Sequence, residues 1–196
     1  MFDTDPIVVA DAGPLIRLAA AGLLDSLRLT NRKVVIVDRV EEEVCGDPSK
    51  PFAREIADWM KRMNGAIEHA VTTEGLGIAK RRELAAQSAE HAAALKRALR
   101  DSGERAIREY VEGFRPSDVT SALVLYEDST VPNLMAAALV PMTLMSTRAF
   151  VRLIAERGYN RDAVEALEAI ASQYNLKPPI STIIEANTLS DRDEDV

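Results

Sequence analysis

The feature that most constrains this chain is a recurrence of short, β-branched apolar runs separated by stretches of helical periodicity. Ile7-Val8-Val9-Ala10 and Val34-Val35-Ile36-Val37 are apolar throughout rather than alternating, which is the pattern of strands buried on both faces. Residues 66–71, 120–126 and 139–144 read as three further strands. Between them lie helical stretches: residues 15–27, interrupted near Gly22; a helix opened by Asp38 as N-cap; and residues 52–63, ending before Asn64-Gly65. Asp11-Ala12-Gly13-Pro14 reads as a sharp turn closing the first strand. Strands alternating with helices predict an α/β fold with a mainly parallel, Rossmann-like sheet flanked by helices.

Residues 74–99 are rich in Ala, Leu, Lys, Arg and Glu and predict one long helix or a helical hairpin, with Thr73 as its cap. Ser102 is placed to cap a separate helix over residues 103–112. A short helix is expected after Pro132, then helices over residues 147–156 and 161–174. With 196 residues and 47% hydrophobic content, the chain supports one core and not two large ones. The expected organisation is one domain over residues 1–175, with a helical insertion at about 74–101 and a C-terminal helix. An acidic tail, loosely held, would occupy residues 176–196.

The formal net charge of -7 argues against a surface that coats nucleic acid globally, so any phosphate-binding surface must be local or supplied by metal. Cys45 is the single cysteine and permits no internal disulfide. No apolar stretch reaches the roughly 20 residues that cross a bilayer, and nothing at the N-terminus reads as a secretion signal. A reduced, cytoplasmic setting is the expectation.

In open parallel sheets, ligands bind beyond the carboxyl ends of the strands. Asp11 terminates the first predicted strand, and Glu127 and Asp128 terminate the strand over residues 120–126. Glu104 falls in the first turn of its helix, near backbone N–H groups and the positive end of the helix dipole. Glu43 borders the apolar stripe of its helix beside Val40 and Val44, whereas Glu41 points outward. Carboxylates without cysteine or histidine partners suit hard, oxygen-loving ions, Mg²⁺ or Mn²⁺ rather than zinc. Such an ion activates water and stabilises the leaving oxygen in an in-line displacement at phosphorus.

Taken in order, these segments resemble the PIN-domain nucleases, especially the toxin ribonucleases of bacterial virulence-associated toxin–antitoxin pairs. Val8-Val9-Ala10-Asp11-Ala12-Gly13-Pro14-Leu15-Ile16 is similar to the family's opening strand and first metal-binding aspartate. Val37 to Val44 resembles its second segment, with the acid at Glu43. Ser102-Gly103-Glu104-Arg105-Ala106-Ile107 resembles its glycine-glutamate helix start, Val124 to Asp128 the strand ending in the last acid, and Met145-Ser146-Thr147-Arg148-Ala149-Phe150 the late strand-to-helix turn. The resemblance spans roughly residues 7–157, apart from 74–101.

It implies a PIN-like fold and a metal-dependent endoribonuclease that leaves a 5′-phosphate and a 3′-hydroxyl. Asp11, Glu43, Glu104 and Asp128 would hold Mg²⁺ or Mn²⁺, and Thr147 would orient a ligand or water. The choice between Glu127 and Asp128 stays open, because Tyr126-Glu127-Asp128 departs from the family's usual run. A small antitoxin filling the acidic crevice and a homodimer are also implied.

Each residue has a plainer reading beside this one. Asp11 can simply close a turn, Glu104 can partner a helix dipole, and Ser146 and Thr147 can be N-caps. Lys80, Arg81, Arg82, Lys96, Arg97 and Arg100 can form a solvated face or hold RNA backbone. Trp59 reads as core or dimer contact, and His69 and His91 as surface or strand-edge residues. Two other function classes compete: a PIN-fold module that binds nucleic acid or protein without turnover, and a carboxylate-based α/β phosphatase with Asp11 as nucleophile. Gly13, two positions after Asp11, counts against the latter.

Overall fold

The computed structural model describes residues 6–63, 65–127, 139–174 and 182–186. It is an α/β fold in which the described strands form one six-stranded sheet. In chain order these are β1 (Ile7–Ala10), β2 (Lys33–Val37), β3 (Ile67–Ala70), β4 (Ala122–Tyr126), β5 (Met142–Ser146) and β6 (Ile183–Ala186). The spatial order is β3-β2-β1-β4-β5-β6, and every pairing is parallel except β5 with β6. The uninterrupted apolar runs are explained by burial: every residue of β1 and β4, and all but Lys33 of β2, is buried. A strand whose successive side chains all find cover must have helices on both faces of its sheet.

The helices are α1 (Ala12–Ala20), α2 (Asp38–Cys45), α3 (Ala53–Arg62), α4 (Thr73–Ala85), α5 (Ala89–Leu99), α6 (Ser102–Glu112), α7 (Thr147–Glu156) and α8 (Ala163–Gln173). A 3₁₀ segment spans Leu24–Thr30. Helix α6 lies against β2 and α2, while α7 lies against β4 and β5 and packs on α8 and α1. Among the described residues, no helix is long and apolar enough to cross a membrane.

Several local expectations are corrected. Helix α1 begins at Ala12, so Asp11-Ala12-Gly13-Pro14 is a strand-to-helix junction rather than a closed turn; proline is tolerated there because first-turn N–H groups lack intrahelical partners anyway. The helix over residues 15–27 is in fact α1 and the 3₁₀ segment, separated by Gly22 with φ +69°. Thr72, not Thr73, caps α4, accepting from the Gly75 N–H at 3.0 Å. Val37 precedes α2, and Asp38 is its first residue.

The stretch over residues 74–99 resolves to the hairpin rather than one long helix, because Ser88 caps a second helix by accepting from the His91 N–H. The proposed tail is not uniformly loose: Ile183–Ala186 adds an antiparallel edge strand to β5. The helix expected after Pro132 lies outside the described residues, as does Asn64, while Gly65 of the Asn64-Gly65 helix terminus has a left-handed φ of +86°. Trp59 is core, with its indole N–H donating to Asp25 at 3.1 Å. His69 lies exposed on edge strand β3 against Glu41, and His91 is exposed on α5.

Candidate functional site

The chain reverses direction across the sheet at β1: β2 and β3 lie on one side, β4 and β5 on the other. Loops at the carboxyl ends of β1 and β4 therefore diverge and leave a crevice. A cavity of about 390 Å³ opens at this end of the sheet, lined among others by Asp11, Glu42, Glu43, Asp101, Gly103 and Glu104. Three of the four acids expected from sequence thus share one pocket.

Each acid is placed by a different local rule. Asp11 follows β1 directly, its backbone N–H donating to Leu125 of β4 at 3.0 Å, and its side chain makes no capping bond to α1. On α2, Val40 and Val44 are buried, which turns Glu41 toward His69 and Glu43 toward the start of α6. Gly103 makes that approach possible. A β-carbon built there would stand 3.1 Å from Glu43 Oε2 and 3.7 Å from Asp11 Oδ1, so both carboxylates converge on the one residue of α6 that offers no side chain. Glu104 follows in the first turn of the same helix.

The entrance to α6 carries strain. Asp101, its N-cap, has a left-handed φ of 52° and no side-chain capping bond; for a non-glycine residue this backbone is costly, though Asp tolerates it better than most. Ser102 was expected to cap α6 but is its first residue. Its hydroxyl accepts from Arg39 Nε at 3.3 Å and Nη2 at 3.1 Å, and donates to the Leu99 carbonyl at 3.1 Å. Arg39, only 5% exposed, also pairs with Glu42, and Glu42 takes a second guanidinium from Arg82 of α4. Lys50, on the pocket rim, donates to the Glu43 carbonyl at 2.9 Å. Two bases therefore neutralise Glu42, whereas the Glu43 and Asp11 carboxylates both lie near Gly103.

Arg39, Lys50, Asp101 and Glu42 were not singled out from sequence. The only available signal was the spacing of Arg39 and Glu42 at i,i+3, which occurs on any surface helix.

The remaining candidates fall elsewhere. Asp128 lies outside the described residues. Glu127 is held away from solvent by Arg17 at 3.1 Å, with side chains 15% and 9% exposed. Arg17 reaches it because Gly13, one turn earlier, lets α1 close on the Glu127 stem: a β-carbon there would meet Glu127 Cβ and Cγ at 3.0 Å. Burial pushes the Glu127 carboxyl above its ordinary range, opposed by the Thr147 hydroxyl, by Arg17 and by the Thr147 N–H. Thr147 is fully buried beside this carboxylate rather than on the acidic pocket's wall, and Ser146 is the actual cap of α7.

Of the basic residues, Arg82 reaches the pocket. Lys80, Arg81, Lys96, Arg97 and Arg100 are exposed on or beside the α4–α5 hairpin. That hairpin is anchored at its base. Glu109 of α6 accepts from the Thr73 and Glu74 N–H groups at 2.6 and 2.9 Å, and Arg105 donates to Glu74 and to the carbonyls of Ala98 and Arg100.

Among the described residues, no three His, Cys, Asp or Glu side chains are already gathered closely enough to hold one ion. The donor chemistry nevertheless fits a hard cation: all the acids are oxygen donors, and Asp11 and Glu43 share the cradle at Gly103 with Glu104 on the same wall. Comparisons with protein-family models, with curated proteins and with solved structures each found no match.

Proposed function

We propose that this chain is a metal-dependent endoribonuclease of PIN-like architecture, hydrolysing RNA phosphodiester bonds at the pocket between α2 and the start of α6. The observation that carries this reading is the convergence of Asp11 and Glu43 on Gly103, with Glu104 one residue further on. Carboxylate oxygens at a strand end are the donor type that hard divalent cations take.

Asp11, Glu43 and Glu104 would hold Mg²⁺ or Mn²⁺, with Asp128 as the fourth candidate. When bound, such an ion supplies Lewis-acid activation of water and neutralises charge on the phosphate. The protein's own contribution is positional. Arg39 fixes the α2–α6 angle through Ser102, and so keeps Glu43 opposite Asp11. Besides Arg82, five further exposed cations, Lys80, Arg81, Lys96, Arg97 and Arg100, lie on or beside the α4–α5 hairpin and would contact RNA backbone. A small antitoxin would inhibit by seating a basic or apolar segment in the acidic pocket, and a homodimer would be the working form.

The test is cleavage of a labelled RNA by purified protein with Mn²⁺ or Mg²⁺, with 5′-phosphate and 3′-hydroxyl ends identified on the products. Asp11→Asn is expected to abolish cleavage while leaving the melting temperature intact. Folded wild-type protein that binds RNA without cutting it would overturn the enzymatic reading in favour of a binding module.

A further inference from the structure

A second cavity, of about 260 Å³, lies near the amino ends of β4 and β5, at the opposite end of the sheet from the acidic pocket. Its floor is apolar, formed by Leu123, Met145, Phe150 and Ile154, all buried. Its rim is polar, and it is cationic: Arg32 and Arg157 stand at the mouth with Thr30 and Thr143.

Two features bear on these arginines. Like most of the described basic residues, neither Arg32 nor Arg157 forms a salt bridge among the described residues. The polar partners of Arg32 are neutral: it donates to Ser121 Oγ at 3.1 Å and, at the 3.5 Å limit, to the Ile7 carbonyl. The two also act on each other. Burial, and then the charge of Arg157, make the Arg32 guanidinium easier to deprotonate than usual. Two like charges held together over an apolar floor are unfavourable until an anion arrives.

We infer that this cavity binds a small amphipathic anion, a carboxylate or phosphate on an apolar body, with the head between Arg32 and Arg157 and the body on Phe150 and Met145. The volume lies just below the roughly 300–1,000 Å³ of sites for drug-sized ligands, which selects a short aliphatic or single-ring molecule over a peptide helix. The site is independent of the acidic pocket, so it stands or falls without the nuclease reading.

The test is calorimetric titration of the full chain with sodium octanoate, with octan-1-ol and inorganic phosphate as separate arms. Saturable octanoate binding is expected, with octan-1-ol and phosphate each at least about tenfold weaker, since a hydrogen bond to a charged group accounts for about that factor. R157Q is expected to weaken octanoate binding by a similar factor. Because Arg157 is exposed and Arg32 ties β1 to β4, R157Q is the variant that preserves the fold, and R32Q is the second arm. Absence of saturable octanoate binding, equal binding of octan-1-ol or of phosphate, or an R157Q protein that binds as wild type would each overturn the inference.

Discussion

Replacing Gly103 with alanine separates a cradle for two carboxylates from an ordinary helix residue, because the two roles predict opposite outcomes. As a helix residue, alanine is better than glycine by about 0.5–1 kcal/mol, and the Gly103 backbone carries no positive φ to forbid it. The added methyl would stand 3.5 Å from Val40 Cγ2, an ordinary contact, and 3.1 Å from Glu43 Oε2, a tight one. Glu43 is an exposed, long side chain, so its carboxylate yields by a few tenths of an ångström at little cost.

The fold should therefore hold or gain slightly, a rise of at most about 4 °C in melting temperature for a chain of this size. Function should move the other way, because the displaced group is the one opposite Asp11. Misplacement by about 1 Å costs on the order of 10²-fold in rate, so a smaller shift that also fills the space between two acids is expected to cost about 10–100-fold. The assay pairs thermal melting with RNA cleavage and Mn²⁺ titration on the same protein. Unchanged cleavage and Mn²⁺ affinity in a normally melting Gly103→Ala protein would refute the idea that Asp11 and Glu43 act together at this residue.

Three other expectations follow from neighbouring geometry. Gly75→Ala drives a methyl into the Asp38 carboxylate, which accepts from the Thr72 N–H, the Thr72 hydroxyl and the Arg39 N–H. Thermal melting should show a loss of about 2 kcal/mol or more, largely relieved in an Asp38→Ala background, and additive losses would contradict the contact. Glu68 is held below its usual range first by its hydrogen bond from Lys33, 2.5 Å away, with Tyr110 also donating. Its stabilising contribution should be present above the ordinary carboxylate range and vanish as pH falls through the folded-state value. The melting difference between wild type and Glu68→Gln should thus close on acidification, and a pH-independent difference would argue against it. Cys45 has its thiol pushed up by burial and then by Glu41; iodoacetamide at pH 8 should alkylate it more slowly in the folded protein than in urea, and equal rates would exclude the shift.

The sheet was legible because burial on both faces writes itself into sequence as unbroken β-branched runs, as in β1, β2 and β4. Strand β6 was not legible. It is an edge strand paired on one side only, and Ser181-Thr182-Ile183-Ile184 carries too little apolar periodicity to stand out beside an acidic terminus. Asp11, Glu43 and Glu104 could be picked out because each sits at a rule-governed place: a strand end, the border of an apolar stripe and a first helical turn. Arg17 with Glu127, and Arg39 with Ser102, could not. Their partners lie 110 and 63 positions apart in sequence, and only the packing of α1 on β4 and of α2 on α6 brings them together.

The contrast between Glu42 and Glu43 bears on why the pocket should be polarised at all. These neighbours on α2 differ by about 100° in direction, and the fold treats them oppositely. Glu42 is covered by a buried and an exposed arginine, while the Glu43 carboxylate lies beside Gly103, which Asp11 also approaches. Lys50 bonds the Glu43 carbonyl, and the Glu43 carboxylate lies beside Gly103. The Glu42 pair with Arg82 joins α2 to the hairpin and the Arg39–Ser102 bonds join it to α6, which together set Glu43 beside Gly103.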